Sequence, residues 1–412
     1  MLHLGDMSDS AHKHDATPRA LFVTTVPITL RAFLLPLAEG LRAEGWCVDA
    51  LTGAEDGTGG VRPGSEVSAA WQQAFDTIHT VPWSRSILSF AHYPQLARQV
   101  RTIVAEGGYH VVHVHTPIAA LITRLALREV SGVRVIYTAH GFHFFRGQNE
   151  RLRGWLFRRA EQYCARFTDV LVVMNDEDEA AARTLAAHAP RCEVQRIDGV
   201  GIKLGDYTAI PLTPEQEASL RKQYRLERAS FVVGIIAEMN DNKRHRLALY
   251  AARVLKESHP RLRWLFIGTG PNERALRVRA DAERLPVTFT GQLKRERLRE
   301  LFSLIDLGLL VSEREGLPRS LMEFSAAGIP IAGTQSRGII DEVRDERALA
   351  TRARGGAIAE VVARIADDST LAAELAAQQH RFAQEHFSLD VILPRYLALY
   401  KTSTSLPQNK NV

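Results

Sequence analysis

Cysteine is scarce in this 412-residue chain: Cys47, Cys164 and Cys192 are the whole supply. Three scattered thiols make no disulfide framework and fit a reducing cytoplasm. Long apolar runs are also missing. FVVGIIA at 231–237 is among the longest, whereas a bilayer-spanning helix needs about 20 such residues. The opening MLHLGDMSDSAHKHDATPRA is polar and lacks a signal-peptide core. Residues 1–19 therefore read as a disordered tail, with His3, His12 and His14 solvated rather than holding a metal. A Gly-x-Gly-x-x-Gly fingerprint is absent too; the Gly-Thr-Gly at 268–270 lacks the third glycine and the acidic partner. The net charge of +5 and pI near 9.2 permit an anionic partner, but no nucleic-acid module accompanies them. A phosphorylated substrate or an anionic membrane surface remains.

What is present is the composition of a soluble globular protein, 45% apolar and 24% charged, over a length that suggests two domains. The most informative stretch is VSEREGLPRSLMEFSAAGIPIAGT, Val311–Thr334. The apolar IDLGLLV before Ser312 reads as a buried parallel strand. An acidic turn follows, then Pro318 in a first helical turn, a helix to about Ala327, Gly328 as its stop, and a second strand, IPIAG. Strand, loop, helix and strand make one unit of an open α/β sheet, whose ligands sit beyond the carboxyl ends of the strands. Glu315 stands in the loop and Glu323 lies eight residues on. That spacing covers at most roughly 12 Å, about the reach from a ribose to a sugar across a diphosphate. Helix-start amides between the two acids face such a ligand, and Gly316 permits close backbone approach.

Glu315 and Glu323, with seven residues between them inside EGLPRSLMEFSAAGIPIAGT, resemble the paired-glutamate signature of the retaining glycosyltransferases of family 4. YTAHGFHFFRG, together with HVHTP before it, resembles a bacterial polysaccharide-assembly branch of that family. The resemblance covers roughly residues 20–400. It implies the GT-B arrangement: two Rossmann-like α/β domains facing a central cleft, an acceptor domain at 20–208 and a donor domain at 209–387. A helix at 388–402 is to cross back onto the first domain, and 403–412 is a polar tail.

Taken in order, Ala20–Thr25 reads as the first strand and WCVDALTG as the second, with an amphipathic helix between them. The first loop, Thr24-Thr25-Val26-Pro27, lacks the glycines usual in the family. Residues 82–93, PWSRSILSFAHY, fit either local core or a contact to acceptor or membrane. His113 and His115 alternate on a strand, and no carboxylate or cysteine completes a metal set around them. The segment 150–167 forms a helix with five arginines against two glutamates. It is either an ordinary helix with a solvated basic side or a contact for anionic lipid headgroups or a pyrophosphate. Asp176 and Asp178 spell Asp-x-Asp, but Asn175 before them reads as a helix cap whose following acids favour the dipole. PLTPEQ reads as the linker. Past the paired-glutamate stretch, RDERALATRARGG replaces the family's usual glycine-bearing segment and leaves the sheet edge open.

The resemblance also implies roles. Glu315 holds hydroxyls of the transferred sugar, Lys243 stabilises the leaving diphosphate, and His140 reaches the donor's sugar or phosphate. Glu323 takes the ribose hydroxyls. Gly316, Leu317 and Arg319 flank the donor, and backbone around Thr290 and Gly291 reads the base. Glu238 stands where the wider family carries a phosphate-binding arginine, and it inherits no phosphate role. The implied reaction moves a sugar, with retention, from a nucleotide-diphosphate sugar (a UDP-sugar favoured) to a hydroxyl. No metal or other cofactor is expected. The expected acceptor is an undecaprenyl-diphosphate-linked glycan at the inner face of the cytoplasmic membrane, with the enzyme peripheral there. A UDP-sugar 2-epimerase of the same fold and a catalytically silent partner subunit are the alternatives.

Overall fold

The computed structural model describes residues 17–53, 73–83, 92–144, 151–227 and 230–401. The expected terminal tails, apart from residues 17–19, and residues 84–91 of the 82–93 segment lie outside these.

The first domain is built on seven strands: β1 (Arg19–Val23), β2 (Cys47–Thr52), β3 (Ile78–Thr80), β4 (Val111–Val114), β5 (Arg134–Thr138), β6 (Val170–Val173) and β7 (Glu193–Arg196). All pairings are parallel, in the order β3-β2-β1-β4-β5-β6-β7. The second domain has six: β8 (Phe231–Ile236), β9 (Leu262–Ile267), β10 (Val287–Gly291), β11 (Leu307–Leu310), β12 (Ile331–Thr334) and β13 (Leu349–Ala350). These run β10-β9-β8-β11-β12-β13, again all parallel. Strands covered by helices on both faces read as continuous apolar runs, which is why VLVV, FVVGII and LGLL are almost wholly buried. Each order reverses once, between β1 and β4 and between β8 and β11, and such switch points open a crevice at the carboxyl edge.

Three boundaries shift. The first strand begins at Arg19, not Ala20, so Arg19 belongs to the sheet and not to the tail; its backbone N–H donates to His110 Nδ1 at 3.2 Å. It ends at Val23: the Thr24 N–H still reaches the Leu51 carbonyl at 2.9 Å, but the Thr25 N–H goes to Thr116 Oγ1 at 2.9 Å. Pro318 is the N-cap of the Arg319–Ala326 helix and not its first residue. The open sheet edge is supplied by β13, followed by the Gly355–Asp367 helix.

Asn175 caps the Asp176–Ala186 helix, accepting from the Asp178 backbone N–H at 2.8 Å. The Leu389–Lys401 helix crosses back: Ile392, Tyr396 and Tyr400 share a core with Leu37, Leu41 and Trp46. His113 belongs to that same packing. Its ring nitrogens bond Tyr400 Oη at 2.6 Å and Thr138 Oγ1 at 2.7 Å, which leaves neither for a metal.

Candidate active site

The carboxyl ends of the two sheets enclose a cavity of about 530 Å³. Loop residues after β4 and β5 supply Thr116, His140, Gly141 and His143 from the first domain. From the second come Glu238 and Lys243 after β8, and Glu315, Gly316, Leu317, Arg319 and Glu323 after β11. Of the residues given a catalytic or donor-binding role in the sequence, Thr290 and Gly291 stand away from this wall, at the end of edge strand β10.

Lys243 Nζ donates to Glu315 Oε1 at 2.6 Å, so the lysine assigned to phosphate and the acid assigned to sugar form an ion pair with each other. Their loops are tied as well: Glu313 N–H donates to the Asn242 carbonyl at 2.8 Å, and Asn242 Nδ2 to the Arg314 carbonyl at 3.1 Å. Glu238 is exposed where it lines the cavity and accepts from Asn240 Nδ2 at 2.9 Å. Glu323 is almost enclosed. Burial pushes its carboxyl above the usual range, while Arg319, whose Nε lies 3.3 Å away, pulls it back. Arg319 also donates to Tyr207 Oη at 2.8 Å and to the Ala32 carbonyl of the first domain. It therefore fixes Glu323 and bridges the cleft, besides lining the cavity.

His140 follows β5 with its Nε2 3.1 Å from His115 Nδ1, and burial holds its pKa down to about 4. A neutral imidazole at the cleft can accept or donate one hydrogen bond without charge. Thr116, facing the same cavity, has φ +59°, a backbone state rare for threonine. Its Oγ1 bonds Thr25 Oγ1 at 2.8 Å. Ala32 and Phe33 sit in a π-helical turn, Leu30–Leu34, a distortion often found at functional sites.

Gly141 and Gly316 meet across the cleft. A Cβ on Gly316 would lie 2.0 Å from the His140 carbonyl oxygen, and one on Gly141 would lie 3.2 Å from Gly316 Cα. The backbone that Gly316 admits is therefore that of the first domain. Beside this contact runs Arg337, which sequence reasoning did not single out. Its guanidinium donates to Asp178 Oδ1 at 2.9 Å and to the Phe142 carbonyl at 3.0 Å, and its Nε to the Glu315 carbonyl at 3.0 Å. Asn175 Nδ2 donates to the Gly316 carbonyl at 2.8 Å. Asn175 and Asp178 thus cap a helix and dock the second domain at once. No local signal distinguishes Arg337 from a surface arginine in GTQSRGIIDEV.

Among the described residues one group of potential metal ligands stands out, Cys47, Asp49 and Asp76, remote from the cleft. Its carboxylates are already engaged by Arg19, Tyr109, Arg42 and the Val48 N–H.

Two facing Rossmann-like domains, with acids, a lysine and a histidine converging between their carboxyl edges, define a glycosyltransferase of the GT-B class. Residues 216–385 match the family model for glycosyl transferases group 1, and residues 30–196 match that for a glycosyl transferase 4-like domain. EpsD of Bacillus subtilis (strain 168), which carries a glycosyltransferase name, is 31% identical over 340 residues, 80% of this chain and 82% of EpsD. WcaL of Escherichia coli (strain K12), named for colanic acid biosynthesis, is 31% identical over 120 residues, 27% of this chain and 30% of WcaL. The crystal structure of Anabaena HepE in complex with UDP and glucose superposes with a TM-score of 0.74 at 16% identity, covering 93% of this chain and all of that one. This chain belongs to the glycosyltransferase family that joins a 4-like domain to a group 1 domain, and it is a transferase enzyme.

Proposed function

We propose that this glycosyltransferase moves a sugar from a nucleotide-diphosphate sugar, a UDP-sugar favoured, to a hydroxyl of a lipid-linked glycan in cell-surface polysaccharide synthesis, with retention. The observation that carries the reading is the convergence of Lys243, Glu315, Glu323 and His140 on one cavity between the domains. A diphosphate entering there competes with Glu315 for Lys243. Exchange of partners frees the Glu315 carboxylate for sugar hydroxyls and places the ammonium beside the charge that grows on the leaving group. The three carboxylates among the described lining residues, Glu238, Glu315 and Glu323, all come from the second domain. On the acceptor side the described wall offers hydroxyls and neutral imidazoles, which suits deprotonation of the acceptor by the leaving phosphate.

Support for UDP comes from HepE, whose structure holds UDP and glucose; support for a polysaccharide role comes from WcaL. A peripheral position on the inner face of the cytoplasmic membrane is favoured by the Arg151–Ala165 helix. It exposes Leu152 (71%), Trp155 (52%), Leu156 (53%) and Tyr163 (46%) among its arginines. Among the described residues no helix is long and apolar enough to cross a membrane. Thermal unfolding in the presence of UDP, GDP or ADP selects the nucleotide, since a ligand of the native state raises the midpoint by mass action. The anomeric configuration of the product, read by NMR, then tests retention. No shift with any nucleotide removes the reading.

A further inference from the structure

A second cavity, of about 270 Å³, opens beside the cleft and shares Thr116, Pro117 and His143 with it. Its remaining wall is mostly hydrocarbon, from Ile118 and Leu121 of the Pro117–Ala126 helix and from Phe157 and Ala160 of the Arg151–Ala165 helix. Tyr93 adds a phenol to this wall, while its threonines and Glu161 are engaged by protein partners. Thr25 and Thr116 bond each other at 2.8 Å, and Glu161 Oε2 pairs with Arg124 Nη2 at 2.8 Å. The His143 ring leans on Phe157 with centroids 5.2 Å apart, and burial keeps its pKa down at about 4, so it is uncharged at neutral pH.

Whole drug-sized ligands occupy pockets of about 300 Å³ and more; this space takes one branch of a molecule whose other part lies in the cleft. The branch it suits is apolar. The outer face of the helix that forms its wall carries the exposed Leu152, Trp155, Leu156 and Tyr163, so one helix presents hydrocarbon both to the cavity and to the outside. We propose that this cavity holds the first hydrocarbon segment of an amphiphilic acceptor, whose glycosylated head lies in the cleft. The inference rests on the transferase reading above, and it adds where acceptor selectivity is built. Sugars on an apolar aglycone gain affinity here, and free sugars do not.

Calorimetric titration of the full chain with geranyl phosphate and with methyl phosphate tests it without turnover. Burying about two methylenes suffices for roughly tenfold, so geranyl phosphate is expected to bind at least about tenfold tighter. Ala160→Phe fills the cavity and is expected to reduce the ratio to less than about threefold; Leu121→Phe serves if the first variant fails to fold. Trp155→Ser/Leu156→Ser, which alters only the outer face, is expected to keep the ratio. Equal affinities in the wild type overturn the proposal. So does a ratio retained in folded, filled variants, or one lost only with the outer-face change. Turnover is scored separately: geranyl phosphate bound in the cavity by a protein that neither transfers nor hydrolyses any nucleotide sugar supports the hydrocarbon site and removes the transferase reading.

Discussion

Arg337 in the second domain and Asp178 in the first form an ion pair of 2.9 Å, with both side chains almost fully buried. Burial raises the Asp178 carboxyl above its usual range against the pull of Arg337. The same guanidinium holds the Glu315 carbonyl, and the Glu315 N–H donates to the Arg337 carbonyl at 3.1 Å, so domain contact and the position of Glu315 share one residue. Removing one partner of a buried pair costs about 3–5 kcal/mol. Arg337→Ala and Asp178→Ala are each expected to lose stability on that scale. The double variant should lose less than the sum, with a coupling of about 1–3 kcal/mol in chemical denaturation. Additive losses would leave the pair without energetic meaning.

Kinetics should separate the cleft residues by role. Glu315→Ala is expected to lower kcat more than it raises donor KM, because contacts to the transferred sugar strengthen as the bond breaks. Lys243→Ala should lower kcat by about a hundredfold or more. Glu323→Ala should act on donor KM, and Glu238→Gln should do least, since Glu238 lines the cavity with its carboxylate held by Asn240 and has no expected phosphate contact. Near-normal transfer by folded Glu315→Ala and Lys243→Ala would overturn the assignment.

Transfer is expected to be insensitive to EDTA. The only Asp-x-Asp is committed elsewhere: Asp178 to Asn175 and Arg337, and Asp176 to Arg196. Activity lost in chelator and restored by Mn²⁺ or Mg²⁺ contradicts this.

Anionic vesicles are expected to bind the protein through the Arg151–Ala165 helix, more weakly as salt screens the charge. Arg158→Glu/Arg159→Glu should reduce binding several-fold in co-sedimentation. Both arginines lie over rings, Arg158 on the buried Phe144 at 4.7 Å and Arg159 on the exposed Trp155 at 5.5 Å, so the Arg159 charge sits beside the apolar patch. Failure to bind at any ionic strength, with efficient turnover on a soluble sugar, removes the membrane role.

Acidification should destabilise the fold through its buried histidines. Burial holds His113 at about 3, His140, His143 and His245 at about 4, and His115 well below its ordinary value. Between pH 6.5 and 4 the unfolded chain binds protons that these folded rings refuse, so stability falls as pH falls. Glu342, buried and pushed well above the carboxylate range, works in the opposite sense, losing stability as pH rises. His245 isolates one contribution, since neither ring nitrogen is hydrogen-bonded among the described residues. His245→Gln is expected to flatten the dependence below pH 6 by up to about 1.4 kcal/mol per pH unit. An unchanged slope in denaturation at stepped pH contradicts the assignment.

Local chemistry was enough for the elements and for most of the cavity wall. Apolar runs ending in polar loops marked the strands, Asn175 marked a helix start, and Glu315 and Glu323 marked the cleft because their spacing lies within one strand–loop–helix unit. Lys243 was reached through resemblance alone. Its pairing with Glu315 spans 72 positions and could not be read from either segment.

The sequence by itself determined the two parallel sheets, since period, run length and turn residues are properties of short windows. It also determined which loops face the cleft, because parallel strands put their carboxyl ends on one edge. Only the tertiary structure decided what holds those edges together. Arg337, Asp178 and the Gly141–Gly316 contact are ordinary residues in their own windows. They acquire their roles when two sheets, folded from segments more than a hundred residues apart, bring a buried charge to its partner and leave no room for a side chain between two backbones.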